Sequence, residues 1–300
     1  MEATTLEVMR QQEENSYAVN GDYLCQEDPM KPIKISVDCS NRESMTEWSY
    51  KVIDFLNFHH ETVEIAMNYF DRYLLTPSGA EALGCSKLFQ LANMSCLYLS
   101  IKIHEDVVLD SKFMANLSNG LFTDDQVERM ELLIVAALQW YLHPPTAVAF
   151  VRQYLELLPA TVSSAVKERT LRLCEPQIQM AVMDYYFINV KASTVALFSV
   201  MNALKVQGME PVLLSHIGSL LSYASRIDHE SVREDIRQPL YEVIVDYIYV
   251  ASDSADLCKT GLASSLSSPS PTSTTTARKE SFTNEQQRAT FNESPCGVFS

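Results

Sequence analysis

Catalytic signatures are missing from this sequence. It has no GxGxxG, no P-loop, no GxSxG and no HExxH, so the glycine-rich phosphate cradles, the serine nucleophile elbow and the helical zinc-protease site are all excluded. Nowhere do 18 consecutive apolar residues occur, so no membrane-spanning helix is expected. The first 30 residues lack an apolar run and carry Glu2, Glu7, Glu13, Glu14, Asp22, Glu27 and Asp28, which argues against a secretory signal. Basic residues are scarce: 23 Lys and Arg against 38 Asp and Glu leave a formal net charge of −15. Such a chain repels phosphate backbones, so direct nucleic-acid binding is not expected, and the charge serves solubility. CxxC pairs are absent too. The seven cysteines (Cys25, Cys39, Cys85, Cys96, Cys174, Cys258, Cys296) are scattered and odd in number, the usage of free thiols in a reducing compartment such as the nucleus or cytoplasm. Among the histidines only His59 and His60 adjoin, at a helix junction, and they read as solvated loop residues rather than metal ligands. The expectation is therefore no catalysis, no cofactor and no metal.

What the chain does have is helical periodicity. Residues 1–41 are polar, with a short helix starting near Thr5 and a loop carrying Gly21, Pro29 and Pro32. From residue 42 apolar residues recur at three- and four-residue spacing: Met45, Trp48, Val52 and Phe55, then Val63, Ala66, Tyr69-Phe70 and Tyr73-Leu74 in a helix opened by Glu61. Pro77-Ser78-Gly79 breaks the pattern. Ser86 to Ile103 is apolar nearly all round and reads as a central helix enclosed by its neighbours. A short helix near Ser111–Leu117 follows. Thr123 with Gln126 is a capping box opening a helix to about Leu138, with Val127, Met130, Ile134 and Ala137 inward. His143-Pro144-Pro145-Thr146 then halts the chain, with Thr146 free to cap the next helix.

The order repeats. Helices are expected at Phe150–Leu158, at Val166–Asp184 with a kink at Pro176, at Ala192–Val206, at Val212–Tyr223 and at Val232–Val250. This is an all-α chain of two five-helix bundles in tandem, over 42–142 and 143–250. Residues 251–300 are rich in Ser, Thr and Pro and read as a disordered tail. There Ser268, Ser270 and Ser294 each precede Pro and are candidate phosphorylation sites that could govern turnover through ubiquitin-ligase machinery.

Several stretches, in order, resemble the cyclin family. Met45-Thr46-Glu47-Trp48, Glu61-Thr62 and Ala66 to Leu74 look like the first two helices of a cyclin box. Leu88 to Glu105 is similar to its third helix, Arg129 to Leu132 and Leu138 to Leu142 to its fifth helix and exit, and Pro145 to Phe150 to the entry of the second box. The resemblance implies tandem cyclin-box bundles acting as a non-catalytic regulatory subunit that activates a cyclin-dependent protein kinase in cell-cycle control, somewhat D-type-like and G1/S-like. Transcriptional or nutrient-signalling cyclins are the alternative. A cyclin-fold transcription factor is disfavoured by the acidic charge and the lack of CxxC. By position, Lys102 and Glu131 match the charges that clamp the kinase's regulatory helix, and Leu99, Ile103, Trp140 and Leu142 match the apolar residues around them. Lys102 and Glu131 could equally pair with each other, and Trp140 could equally be core. Asp71 and Arg72 match a structural pair, read as a salt bridge or cap. A substrate patch that takes Arg-x-Leu peptides maps to Met45, Trp48 and Gln90. Asn41 and Ser44 replace its apolar members, so docking of substrates and inhibitors there is expected to be weak unless Met9 or another N-terminal apolar residue fills the gap. Tyr23-Leu24-Cys25-Gln26-Glu27 nearly matches the Leu-x-Cys-x-Glu motif of D-type members, with Tyr in place of Leu.

Overall fold

A computed structural model describes residues 4–24, 35–227 and 234–259. Its helices are α1 (Thr5–Asn15), α2 (Cys39–Leu56), α3 (Glu61–Leu74), α4 (Ala80–Leu83), α5 (Ser86–His104), α6 (Ser111–Leu117), α7 (Asp124–Ala137), α8 (Ala147–Glu156), α9 (Ser164–Met183), α10 (Ala192–Val206), α11 (Pro211–Ser225) and α12 (Glu234–Lys259). No strand occurs among the described residues. Local chemistry sets the starts. Asp38 and Asn41 form a reciprocal capping box at α2, Thr123 and Gln126 form the expected one at α7, and Thr146 accepts from Ala149 N at α8.

Two cores result. The first surrounds α5, whose Phe89, Ala92, Cys96, Leu97 and Ile101 are buried; the second surrounds α10, with Ala196, Leu197, Val200 and Leu204 in the same role. A helix that is apolar on every face lowers its free energy only when neighbours enclose it, and each bundle is built around one. The amino-terminal helix belongs to the second core: Leu6 enters it, and Glu13 accepts from the backbone N (2.7 Å) and Oγ (2.6 Å) of Ser193 at the start of α10.

Charged groups rivet the two bundles together. Arg42 on α2 forms a two-pronged pair with Asp71 on α3 (2.9 and 2.8 Å), and the Tyr23 hydroxyl donates to the same carboxylate at 2.8 Å. The remaining guanidinium nitrogen donates to the carbonyls of Val182 (2.9 Å) and Met183 (3.2 Å), which end α9 in the second bundle. On the other side, Glu61 and Glu64 at the start of α3 receive Thr146 Oγ1, Arg152 (2.9 Å) and the backbone N of Ala147, capping α8.

Glu64 keeps one buried carboxylate oxygen without a partner among the described residues, and burial pushes its pKa up to about 8. An unfolded chain ionises this group near its ordinary 4.5. The folded state holds the proton longer, so its contribution to stability falls as pH rises from about 4.5 to about 8. The limit is about 1.4 kcal/mol per pH unit. Glu64→Gln, which can still accept from Ala147, is expected to flatten that slope. Urea unfolding at pH 5.5 and 8.5 checks it, and a variant with an unchanged pH slope contradicts the assignment.

Four details differ from expectation. First, Asp71 pairs with Arg42 rather than Arg72, because successive residues on a helix point in different directions. Arg72 instead bonds Asn68 and the Tyr141 carbonyl. Second, α2 begins at Cys39, three residues before 42, because the Asp38 cap fixes it there. Third, the break at Pro77-Ser78-Gly79 leads into the short α4, and a Cβ on Gly79 would lie 2.0 Å from the Tyr73 carbonyl oxygen, so only glycine allows this return. Fourth, α12 continues to Lys259 rather than stopping at Val250; residues 251–259 contain neither Gly nor Pro to stop it. Pro176 lies inside α9 without interrupting it. Ser268, Ser270 and Ser294 lie outside the described residues.

Candidate functional site

The end of α5 meets the middle of α7. Lys102, in the last turn of α5, directly follows the stretch Phe89–Ile101, every residue of which is buried. Its Nζ lies 2.6 Å from Glu131 Oε1 and 4.9 Å from the centre of the Tyr98 ring. The helix C-terminus favours a cation at this position. Lys102 is 39% exposed and Glu131 14%, so the two charges pair with each other and still face outward, a rigid donor and acceptor at one edge.

Trp140, three residues past the end of α7, is 76% exposed, so it is not a core residue. The backbone explains why. Gln139 (φ 53°) and Trp140 (φ 64°) are both left-handed and end α7 abruptly, while Leu138 and Leu142 on either side are buried. Exposed Leu132, Leu133 and Tyr141 extend the apolar edge, and Ile103 is half-buried. Leu99 and Leu142, matched by position to this surface, are instead buried in the first core.

Side chains from three segments hold the backbone of the exit from α7. Arg72 donates to the Tyr141 carbonyl at 3.0 Å. Tyr69 Oη and His104 Nε2 (3.1 Å) both donate to the Leu142 carbonyl. Tyr17 Oη accepts from the backbone N of His143 at 3.2 Å. Burial lowers the His104 pKa, and because a carbonyl can only accept, the bond to Leu142 places a proton on Nε2. Tyr17, Tyr69 and His104 were not recognisable as supports from sequence. Leu132 and Leu133 carried a readable signal, because they are apolar yet fall off the inward stripe of Val127, Met130 and Ile134.

The second candidate patch is less open. Met45, Trp48 and Gln90 are all buried, and Trp48 Nε1 has no partner among the described residues. The Asn41 side chain is committed to its capping box, accepting from Asp38 N at 2.8 Å. Met9 packs against the second core, so it does not complete this patch; Val37 joins the first core instead. Tyr23, at the head of the near Leu-x-Cys-x-Glu segment, is fully buried against Asp71, and residues 25–27 lie outside the described residues. His59 and His60 each reach a carboxylate, Glu105 at 3.1 Å and Asp54 at 2.6 Å.

Residues 4–143 match the family model described as "Cyclin, N-terminal domain". Among individual proteins, Cyclin-D3-3 of Arabidopsis thaliana is 28% identical over 216 residues, covering 69% of this chain and 54% of the plant protein. The G1/S-specific cyclin-E of Caenorhabditis elegans is 33% identical over 123 residues, covering 41% of this chain and 23% of the nematode protein. The chain thus spans about half of the first relative's length and less than a quarter of the second's. The X-ray structure of a viral cyclin from herpesvirus saimiri shares the fold, with a TM-score of 0.61 at 14% identity over 81% of this chain and 97% of that one.

Proposed function

We propose that the chain, whose residues 4–143 match the cyclin amino-terminal domain model, is a cyclin-family protein acting as a non-catalytic regulatory subunit that binds a cyclin-dependent Ser/Thr kinase and switches it on in control of the cell division cycle. One observation carries the reading: the preformed Lys102–Glu131 pair stands at an edge flanked by exposed Trp140, on the residues that match the family's kinase clamp.

The mechanism follows from this geometry. A kinase helix laid along the edge buries Trp140 and the neighbouring leucines, and a tryptophan in such a place is a typical hot spot. Lys102 and Glu131 then bond the backbone or side chains of that helix and fix its orientation, which decides whether the kinase's own catalytic residues line up. The rigid bundle contributes placement, not chemistry. A G1/S role is the finer part of the proposal and is supported by the relatives named above. Because the Arg-x-Leu patch is largely closed, substrates and inhibitors are recruited chiefly through the kinase.

Mixing the purified full chain with individual cyclin-dependent kinases tests this, reading phosphate transfer to a protein substrate. At least one kinase is expected to form a stoichiometric complex and rise by orders of magnitude in activity. Failure to bind or stimulate any of them contradicts the proposal.

A further inference from the structure

We propose that Tyr17 is a positioning residue for the partner-facing edge: its ring and hydroxyl hold residues 141–143 so that Trp140 stays projected from the end of α7. The inference rests on the reading of that edge as kinase-facing.

Left-handed backbone at a bulky residue is disfavoured and persists only where the surroundings enforce it. Here two such residues occur in succession, Gln139 and Trp140. From inside the first bundle the exit is held by Arg72, Tyr69 and His104. Tyr17 alone among these holds it from the segment that follows α1, and it does so in four ways. Its hydroxyl accepts from His143 N at 3.2 Å. Its ring meets Tyr141 edge to face at 6.1 Å. The Arg72 guanidinium lies over the same ring at 5.0 Å. Its carbonyl accepts from Asn68 at 3.1 Å, on the same helix face as Arg72. Arg72 is buried enough for its pKa to be lowered, so the ring's negative face replaces part of the lost water and steadies its bond to the Tyr141 carbonyl.

Tyr17 is itself anchored. Just before it, at the end of α1, Glu13 caps α10 and Glu14 pairs with Lys191 at 2.8 Å. The segment therefore ties the second bundle to the exit of the first, beside the edge that Trp140 forms. A clamp of this kind adds no contact to the partner. It lowers the ordering cost of binding by holding the tryptophan in place beforehand.

The chain has only two tryptophans, so 5-fluorotryptophan labelling of the full protein gives two ¹⁹F signals: Trp140, and Trp48 buried in the first core as internal standard. Tyr17→Ala is expected to shift and narrow the Trp140 signal, to leave Trp48 unchanged, and to weaken binding of the activated kinase about tenfold. Tyr17→Phe keeps the ring and should retain the Trp140 signal and most of the affinity. If Tyr17→Ala does not fold, Tyr17→Leu removes the ring while keeping apolar volume and gives the same test. An unchanged Trp140 signal overturns the proposal, as does an equal change in Ile217→Ala, which only weakens the second core. A changed signal with undiminished kinase binding leaves the clamp standing and overturns the reading of the edge as kinase-facing.

Discussion

Replacing Asp71 with Ala is expected to remove about 3–5 kcal/mol of stability, the cost of stranding one partner of a buried ion pair. A domain's whole stability is about 5–15 kcal/mol, so the variant sits near the edge of unfolding at room temperature. The reason is local. Arg42 and Asp71 side chains are 3% and 6% exposed, so the abandoned guanidinium cannot recover its hydration. The Tyr23 hydroxyl loses its acceptor at the same time, and Arg42 becomes free to leave the Val182 and Met183 carbonyls at the end of α9. The junction between bundles is therefore expected to loosen together with the first core. Arg42→Met combined with Asp71→Leu should cost less than Asp71→Ala alone, because it removes both charges. Urea unfolding followed by circular dichroism measures both. A loss below about 1 kcal/mol for Asp71→Ala contradicts the assigned role.

Changing Lys102, Glu131 and Trp140 together to Ala is expected to leave the fold intact and weaken kinase binding by about a thousandfold. A charge-assisted bond contributes about 1.5–3 kcal/mol. Lys102 and Glu131 act as one unit, so removing both costs little more than removing either. A hot-spot tryptophan adds about 2 kcal/mol or more. Together these approach about 4 kcal/mol, or three orders of magnitude in Kd. Stability should move little, because the pair is partly exposed and such pairs contribute about 0–1 kcal/mol. The two experiments are complementary: Asp71 tests what holds the bundles together, and the surface triple tests what they present.

The helices were legible because their signals are local. α5 and α10 announce themselves by apolar residues on every face, and Thr123 and Thr146 by cap chemistry, so both bundles could be read from periodicity alone. The ion pair at Asp71 was not, since Arg42 lies 29 residues away and nothing in either helix marks the other as its partner. Likewise, the sequence placed α1 at the start of the chain but could not show that it packs on the second bundle. The candidate site was legible only through the resemblance, which singled out Lys102 and Glu131. Trp140 remained ambiguous between core and surface because its exposure is decided by two left-handed residues, and no glycine marks that turn. Leu99 and Leu142 carry the same apolar character as exposed neighbours, and only packing shows that they lie below the surface.

The central claim is that the edge formed by Lys102, Glu131 and Trp140 is where this protein takes hold of its kinase. Isothermal titration of the purified kinase into wild-type chain and into the Lys102→Ala/Glu131→Ala/Trp140→Ala variant, with circular dichroism confirming equal helicity, tests it most directly. The account predicts measurable binding for the wild type and a loss of about a thousandfold for the variant. Equal affinity in a folded triple variant would place the kinase on another surface and contradict it.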